Sequence, residues 1–243
     1  MLKKDSGLGS ARQCLNDLVQ VFTGTYDYLA HRVDKRTATV LAVYVVSWLS
    51  WPIWSFYVSS WVGVDVYGGD ANAAEGTPGR EAYNKGVEVA SSALFLYSIV
   101  AFVYSLMIPL LIKIKFLGYR SLWAGAMILH GLIYFALVAY RGKYYTVALI
   151  AITGINLATM HTVPWVFLSW STAPSDNGIA AAVVNVCNAV PSLFFNGLIN
   201  PGLQLIFSSL VPVMCFGGFT MLLSAAMVLL ISRPTEEELK KTR

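Results

Sequence analysis

The chain has 243 residues, of which 56% are hydrophobic and 12% charged, with a net charge of +4 and a mean hydropathy of +0.61. Globular domains carry about 25% charged residues, so an ordinary water-soluble globule is excluded. The basic excess needs no nucleic acid to explain it, because Lys and Arg set topology in membranes.

Ahead of the first apolar run, Leu15, Leu18, Val19, Phe22, Tyr26 and Leu29 recur at helical spacing among polar residues. They predict an amphipathic helix that either lies on the membrane surface or packs on the bundle as a linker. No cleavable signal peptide is expected there, since the segment up to Arg36 is polar. Beyond it the charged residues leave five uncharged intervals of 28, 24, 20, 32 and 56 residues. A span takes about 20 apolar residues, so the first four intervals hold one helix each and the last holds two. The expected spans are 39–62, 88–112, 121–140, 144–171, 179–196 and 211–231. The chain thus reads as an all-α polytopic membrane protein: a cytoplasmic amphipathic segment (1–36), a six-helix transmembrane bundle (37–232) and a cytoplasmic tail (233–243).

Six spans return both termini to one side. That side carries thirteen of the 17 basic residues, while the other holds Arg80, Lys85, Arg141 and Lys143. The positive-inside rule then puts both ends in the cytoplasm. The exterior segment from Gly63 to Gly86 is rich in Gly, Ala and acids, with a turn signal at Pro78-Gly79. Cys14, Cys187 and Cys215 fit neither a zinc site nor a disulfide framework, so neither metal nor cofactor is expected.

No Asp, Glu, Lys or Arg lies in the middle of a span, although Asp65 and Glu88 stand at exterior ends. A charge at mid-bilayer usually marks an ion or proton path; here a coupling acid has to sit at an edge or on another chain. The neutral polar residues are more informative. In the first span Trp48, Trp51 and Ser55 share a face, with Ser47, Ser50, Ser59, Ser60, Trp54 and Trp61 nearby. Indole faces stack on pyranose rings and hydroxyls bond their OH groups; alternatively the Trp residues face lipid and the Ser hydroxyls bond back to the helix. The fourth span carries Asn156, Thr159, His161, Thr162 and Pro164. Asn156 and Thr159 share a face, and Pro164 frees a carbonyl, a combination suited to a midplane site. His161 is either a proton relay or an interhelical partner, and His130 stands alone in the third span. In the fifth span Asn185 and Asn188 are followed by Pro191, Asn196, Asn200, Pro201 and Gln204; the first pair either binds a polar ligand or joins helices. Gly178, Ala180, Ala181, Ala182, Gly217 and Gly218 favour close helix approach. Nucleotide-binding and hydrolase motifs are absent, so enzyme function is not expected.

The run Trp61-Val62-Gly63-Val64-Asp65-Val66-Tyr67-Gly68-Gly69, followed by Tyr83-Asn84-Lys85-Gly86-Val87, resembles the stretch after the seventh helix of sucrose/proton symporters and their animal relatives. These form part of the glycoside-pentoside-hexuronide branch of the major facilitator superfamily. Leu117-Gly118-Tyr119-Arg120-Ser121-Leu122-Trp123 is similar to that family's loop after the eighth helix, and Thr162-Val163-Pro164-Trp165 with Ser169 to its tenth. Asn177-Gly178, Asn185 and Pro191 resemble its eleventh helix, and Gln204-Leu205-Ile206-Phe207 the loop to the twelfth.

The resemblance implies the C-terminal half of a twelve-helix transporter. Its sugar site lies between two six-helix halves, so the partners it implies are a sugar, protons if transport is symport, the lipid bilayer, and an N-terminal half or a second copy. Where the family's proton symporters are charged, this chain has Val58, Ser60 and Val64, and only Asp65 keeps its charge. Uptake driven by the solute gradient alone is therefore open beside proton coupling. The resemblance gives Asp65 a role in coupling or gating and makes Ser59, Ser60 and Asn185 pocket-lining candidates. With the residues read above, the expected sugar site is Trp51, Ser55, Ser59, Ser60, Asn156, Thr159, Asn185 and Asn188, with Asp65 and His161 coupling or gating. The expected location is the plasma membrane or an acidic organelle. The alternative function is a non-transporting membrane scaffold or regulatory subunit.

Overall fold

The computed structural model describes residues 13, 16, 19, 23–114 and 116–232. Leu15, Leu18 and Phe22 of the predicted amphipathic segment, Cys14, and the tail 233–243 lie outside the described residues.

The six long helices are α1 (Lys35–Val66), α2 (Pro78–Leu111), α3 (Tyr119–Ala139), α4 (Lys143–Ser171), α5 (Asn177–Phe207) and α6 (Val211–Val228), all apolar enough to cross a membrane. The protein is multi-pass and, among the described residues, has no strand. Each predicted interval holds the apolar stretch of its helix or helices, but several helices run past it and the boundaries move for physical reasons. α2 begins at Pro78, whose missing N–H costs nothing in a first turn. Its 34 residues span about 50 Å at 1.5 Å each, against a hydrocarbon thickness of about 30 Å. Arg80, Glu81 and Lys85 therefore ride on helix standing clear of the apolar layer. α5 continues past its expected end because the Asn-Gly-Leu-Ile-Asn-Pro-Gly run is absorbed by a wide π turn, Phe195–Ile199, which puts Pro201 in the first turn of the next helical segment. α5 stops at Ser208, in the left-handed conformation with φ 48°.

α1 is not a single regular helix. Pro52 cannot donate to a carbonyl one turn back, and the chain tightens there into short-range bonds from Ser50 N to Ser47 O and Ile53 N to Ser50 O, both 3.1 Å. Beyond this point α1 contains two π turns, Ile53–Tyr57 and Val62–Val66. α4 breaks at Thr153, ahead of Gly154, and runs unbroken through Pro164. The expected interruption at Pro164 is thus displaced, because Gly154 lies directly on the backbone of α2 and the helix bends to make that approach.

α3 and α6 pack closely along their length, as do α2 and α4. Gly131 and Gly218 face each other, each backbone carbonyl 3.1 Å from where a Cβ on the other would sit, as expected where small residues let helices close up. Gly178 by contrast has open space around it. α1 touches α2, α4, α5 and α6 and is the hub of the bundle; α2 packs mainly on α4 and the C-terminal end of α1. α2 and α5 are the least buried spans, exposing Phe95, Phe102, Leu106 and Leu110 on one and Leu193, Leu198 and Leu205 on the other.

Before α1 the chain is helical from residue 23 and packs on the bundle through one side. Tyr28 is buried with its hydroxyl 3.4 Å from Thr172 Oγ1, and Arg32 bridges Asp27 (3.1 Å) and Asp176 (3.0 Å). Val19, Tyr26 and Leu29 remain exposed. The linker-on-bundle alternative describes the Tyr28 side, and the other side is free to meet lipid headgroups. Asp34 then caps α1, its carboxylate accepting from the Thr37 amide at 2.8 Å.

Candidate functional site

Trp51 and His161 meet at the contact of α1 with α4. The Trp48 and Trp51 rings lie 4.9 Å apart, and the His161 imidazole stands edge-on to both at 5.9 Å. Trp48 is buried and forms the floor; Trp51 is half-buried and His161 exposed at the rim. Ser55, one turn beyond Trp51, is exposed. Asn185, on α5 where that helix packs against α1, is exposed as well, and Asn188 is half-buried. Three spans, α4 and α5 each packed on α1, thus carry exposed or half-buried hydroxyl, amide, imidazole and indole groups within their apolar stretches. Polar groups turned to hydrocarbon are costly, so such a face belongs to a wet cavity or a protein partner. Chemically it offers flat rings for the C–H face of a sugar and neutral donors and acceptors for its hydroxyls.

The remaining candidates are placed elsewhere. Asn156 and Thr159 are buried, at 1% and 0% exposure, and neither reaches the open face. The Asn156 amide lies 2.8 Å from His130 Nδ1 and 3.4 Å from Met160 Sδ, deep between α3 and α4. Thr159 donates to the Ile155 carbonyl of its own helix at 2.7 Å. Two polar residues three apart do share a helix face, but this one packs inward. Ser60 is turned toward α2, its hydroxyl 3.3 Å from that of Tyr83, and Ser59 is half-buried beside it. Asp65 pairs with Arg141 at 3.1 Å.

Two polar networks were not legible as sites in the sequence. His130 stacks flat on Tyr134 at 4.9 Å and meets Trp54 edge-on at 4.7 Å, while Ser50 donates to the Tyr134 hydroxyl at 3.0 Å. With Asn156 this makes a buried cluster tying α1, α3 and α4 at mid-membrane. Asn156→Ala should leave the imidazole Nδ1 without its donor, at a cost of about 1–3 kcal/mol. A lowered thermal midpoint in detergent is the expected result; an unchanged one would show that the amide bond contributes nothing. Nearer the C-terminal end of α1, Asn200 donates to the Tyr57 hydroxyl (2.7 Å), which donates to Asn196 (3.3 Å), and Gln204 donates to Asn200 (2.9 Å). Tyr57 and Asn196 both sit in π turns, which often mark functional joints. The Asn and Gln spacing was visible; the partner on α1 that Asn196 and Asn200 share, Tyr57, was not.

The motif glycines have a packing role. A Cβ on Gly63 would fall 2.6 Å from the Tyr83 ring, one on Gly69 2.2 Å from the Tyr83 amide nitrogen, and one on Gly86 2.6 Å from the Gly63 Cα. The Trp-x-Gly-x-acid-x-Tyr-Gly-Gly run therefore wraps the C-terminal end of α1 around Tyr83 of α2.

No protein-family model matches the sequence. Among curated proteins, sucrose transport protein SUT1 of Oryza sativa subsp. japonica is 26% identical over 228 residues, covering 83% of this chain and 41% of that protein. Sucrose transport protein SUT5 of Oryza sativa subsp. indica is 28% identical over 178 residues, covering 63% and 32% respectively. Solute carrier family 45 member 3 of Mus musculus is 24% identical over 141 residues, covering 58% and 25%. The chain is a homologue of sucrose transport proteins. It spans about 41% of the length of the first of these relatives. In this sucrose transporter homologue the exposed polar face, rather than the buried Asn156 cluster, is the candidate site.

Proposed function

We propose that this chain is the C-terminal six-helix half of a secondary transporter of the major facilitator type and that it carries a sucrose-like sugar. The observation that carries the reading is the exposed or half-buried group of Trp51, His161, Ser55 and Asn185 within apolar stretches, on a chain homologous to sucrose transport proteins. The partner is an N-terminal six-helix half, which completes the cavity against this face and covers part of the apolar flanks on α2 and α5. The sugar lies between the halves, its ring against Trp51, with Ser55, Asn185 and Asn188 bonding hydroxyls and Ser59 and Ser60 lining the exterior approach. His161 and Asp65 serve gating. Both termini are cytoplasmic, from the thirteen-to-four bias of basic residues, and the membrane is the plasma membrane. The domain plan is a cytoplasmic linker up to residue 36, the bundle to 232 and a cytoplasmic tail.

Reconstitution tests this. Vesicles holding the chain together with the N-terminal half of a rice sucrose transport protein should take up labelled sucrose, and vesicles with either half alone should not. Uptake by this chain alone replaces the heterologous half with a second copy. No uptake in any combination, together with no sucrose-dependent change in tryptophan fluorescence, overturns the sugar reading.

A further inference from the structure

The C-terminal end of α1 is held by a second contact besides α2. The hairpin connection from α3 to α4 is three residues long, Tyr140-Arg141-Gly142, and α4 opens on Lys143; Arg141 and Lys143 both reach the C-terminal end of α1 and the residue after it. Arg141 Nη1 stands 3.1 Å from Asp65 Oδ1, with the Asp65 side chain only 12% exposed. Lys143 Nζ stands over the Tyr67 ring, 4.4 Å from its centroid. The hairpin is itself braced: Tyr140 and Tyr145 meet edge-on at 5.1 Å, and a Cβ on Gly142 would collide with the Tyr140 ring at 2.6 Å. Asp65 lies in the π turn Val62–Val66, and Tyr67 follows directly as its C-terminal cap. The ion pair has one member largely withdrawn from water, and the cation over the Tyr67 ring adds a second, independent attraction.

We propose that Arg141 and Lys143 form a two-pronged clasp that fixes the C-terminal end of α1 to α4, making Arg141 a positioning residue and Asp65 its anchoring anion. α1 and α4 carry Trp51 and His161, so the clasp makes the two walls of the aromatic face move as one body. The Tyr83 collar adds α2 to that body. α5 is joined to the C-terminal half of α1 through the neutral Tyr57–Asn196–Asn200 chain, and it is the wall left free to shift. The consequence for the proposed transport cycle, on whose reading this part rests, is that the Asp65 carboxylate is engaged within its own half.

Hydrogen exchange on the purified full chain in nanodiscs tests the clasp without any transport assay. Arg141→Gln should speed amide exchange about tenfold or more across residues 62–69 and leave residues 37–46 at the far end of α1 unchanged. The reciprocal exchange Asp65→Arg with Arg141→Asp should restore protection, and Asp65→Asn combined with Arg141→Gln should be no worse than either alone. Lys143→Gln should give a smaller acceleration over the same segment. Unchanged exchange in Arg141→Gln, or acceleration spread evenly over the whole chain with no rescue by the reversed pair, overturns the proposal. Should sucrose uptake fail in every combination above while the exchange pattern holds, the clasp stands and the sugar reading falls.

Discussion

Gly154→Ala is expected to abolish recovery of folded protein. A Cβ there would lie 2.2 Å from the Tyr97 carbonyl oxygen and 2.8 Å from the Ala101 amide nitrogen, both backbone atoms of α2 that cannot swing aside as a side chain does. Overpacking of this kind costs about 1–3 kcal/mol where neighbours relax, and a clash with main chain belongs at or above that upper figure. The expected readout is aggregation on size-exclusion chromatography, or a thermal midpoint lowered by many degrees. Gly125→Ala is the control, since Gly125 is exposed on α3 with nothing within 4 Å of its added Cβ, and it should be neutral or slightly stabilising through helix propensity. Equal behaviour of the two variants would remove the close contact of α4 with α2 from the account.

Trp51→Ala, in the assembled transporter, should cut sucrose uptake about tenfold or more while leaving its amount in the membrane unchanged. Aromatic anchors dominate recognition of flat ligand faces, and Trp51 is half-buried, so its loss opens the face without hollowing the core. Asn185→Ala should have a smaller effect in the same direction, from the loss of a hydroxyl partner. Phe102→Ala, on the exposed flank of α2, should change nothing. Normal uptake by both Trp51→Ala and Asn185→Ala would return those residues to a packing role.

The number of spans was legible because charge is excluded from the apolar layer: the five uncharged intervals hold the apolar stretches of all six helices. Their ends were less so. Arg80, Glu81 and Lys85 look like loop until the length of α2 carries them beyond the membrane, and Asn196 to Gly202 looks like a helix end until a π turn absorbs it. The candidate site was legible in part. Trp51, Ser55 and Asn185 carry the right chemistry on faces that stay open, whereas Asn156 carries the same chemistry on a face that turns in. Periodicity assigns residues to a common stripe but cannot say whether the stripe meets a neighbour, and for Asn156 the neighbour is His130, the residue given least weight. Arg141 shows the same limit: it counted toward sidedness, and nothing in its spacing from Asp65 announced the pair.

The π turns of α1 and α5 bear on how such chains are compared. A π turn holds one residue more than the α turn it replaces, so each is a one-residue insertion that the helix has accommodated without breaking. Ile53–Tyr57, Val62–Val66 and Phe195–Ile199 are three such places. Relatives whose spans are regular there should align with this chain only when a single-residue gap is placed inside the helix, a position where alignment conventions discourage one. Beyond that point the same residue types would face different sides of the bundle, and two transporters could share a motif letter for letter while turning it toward different partners.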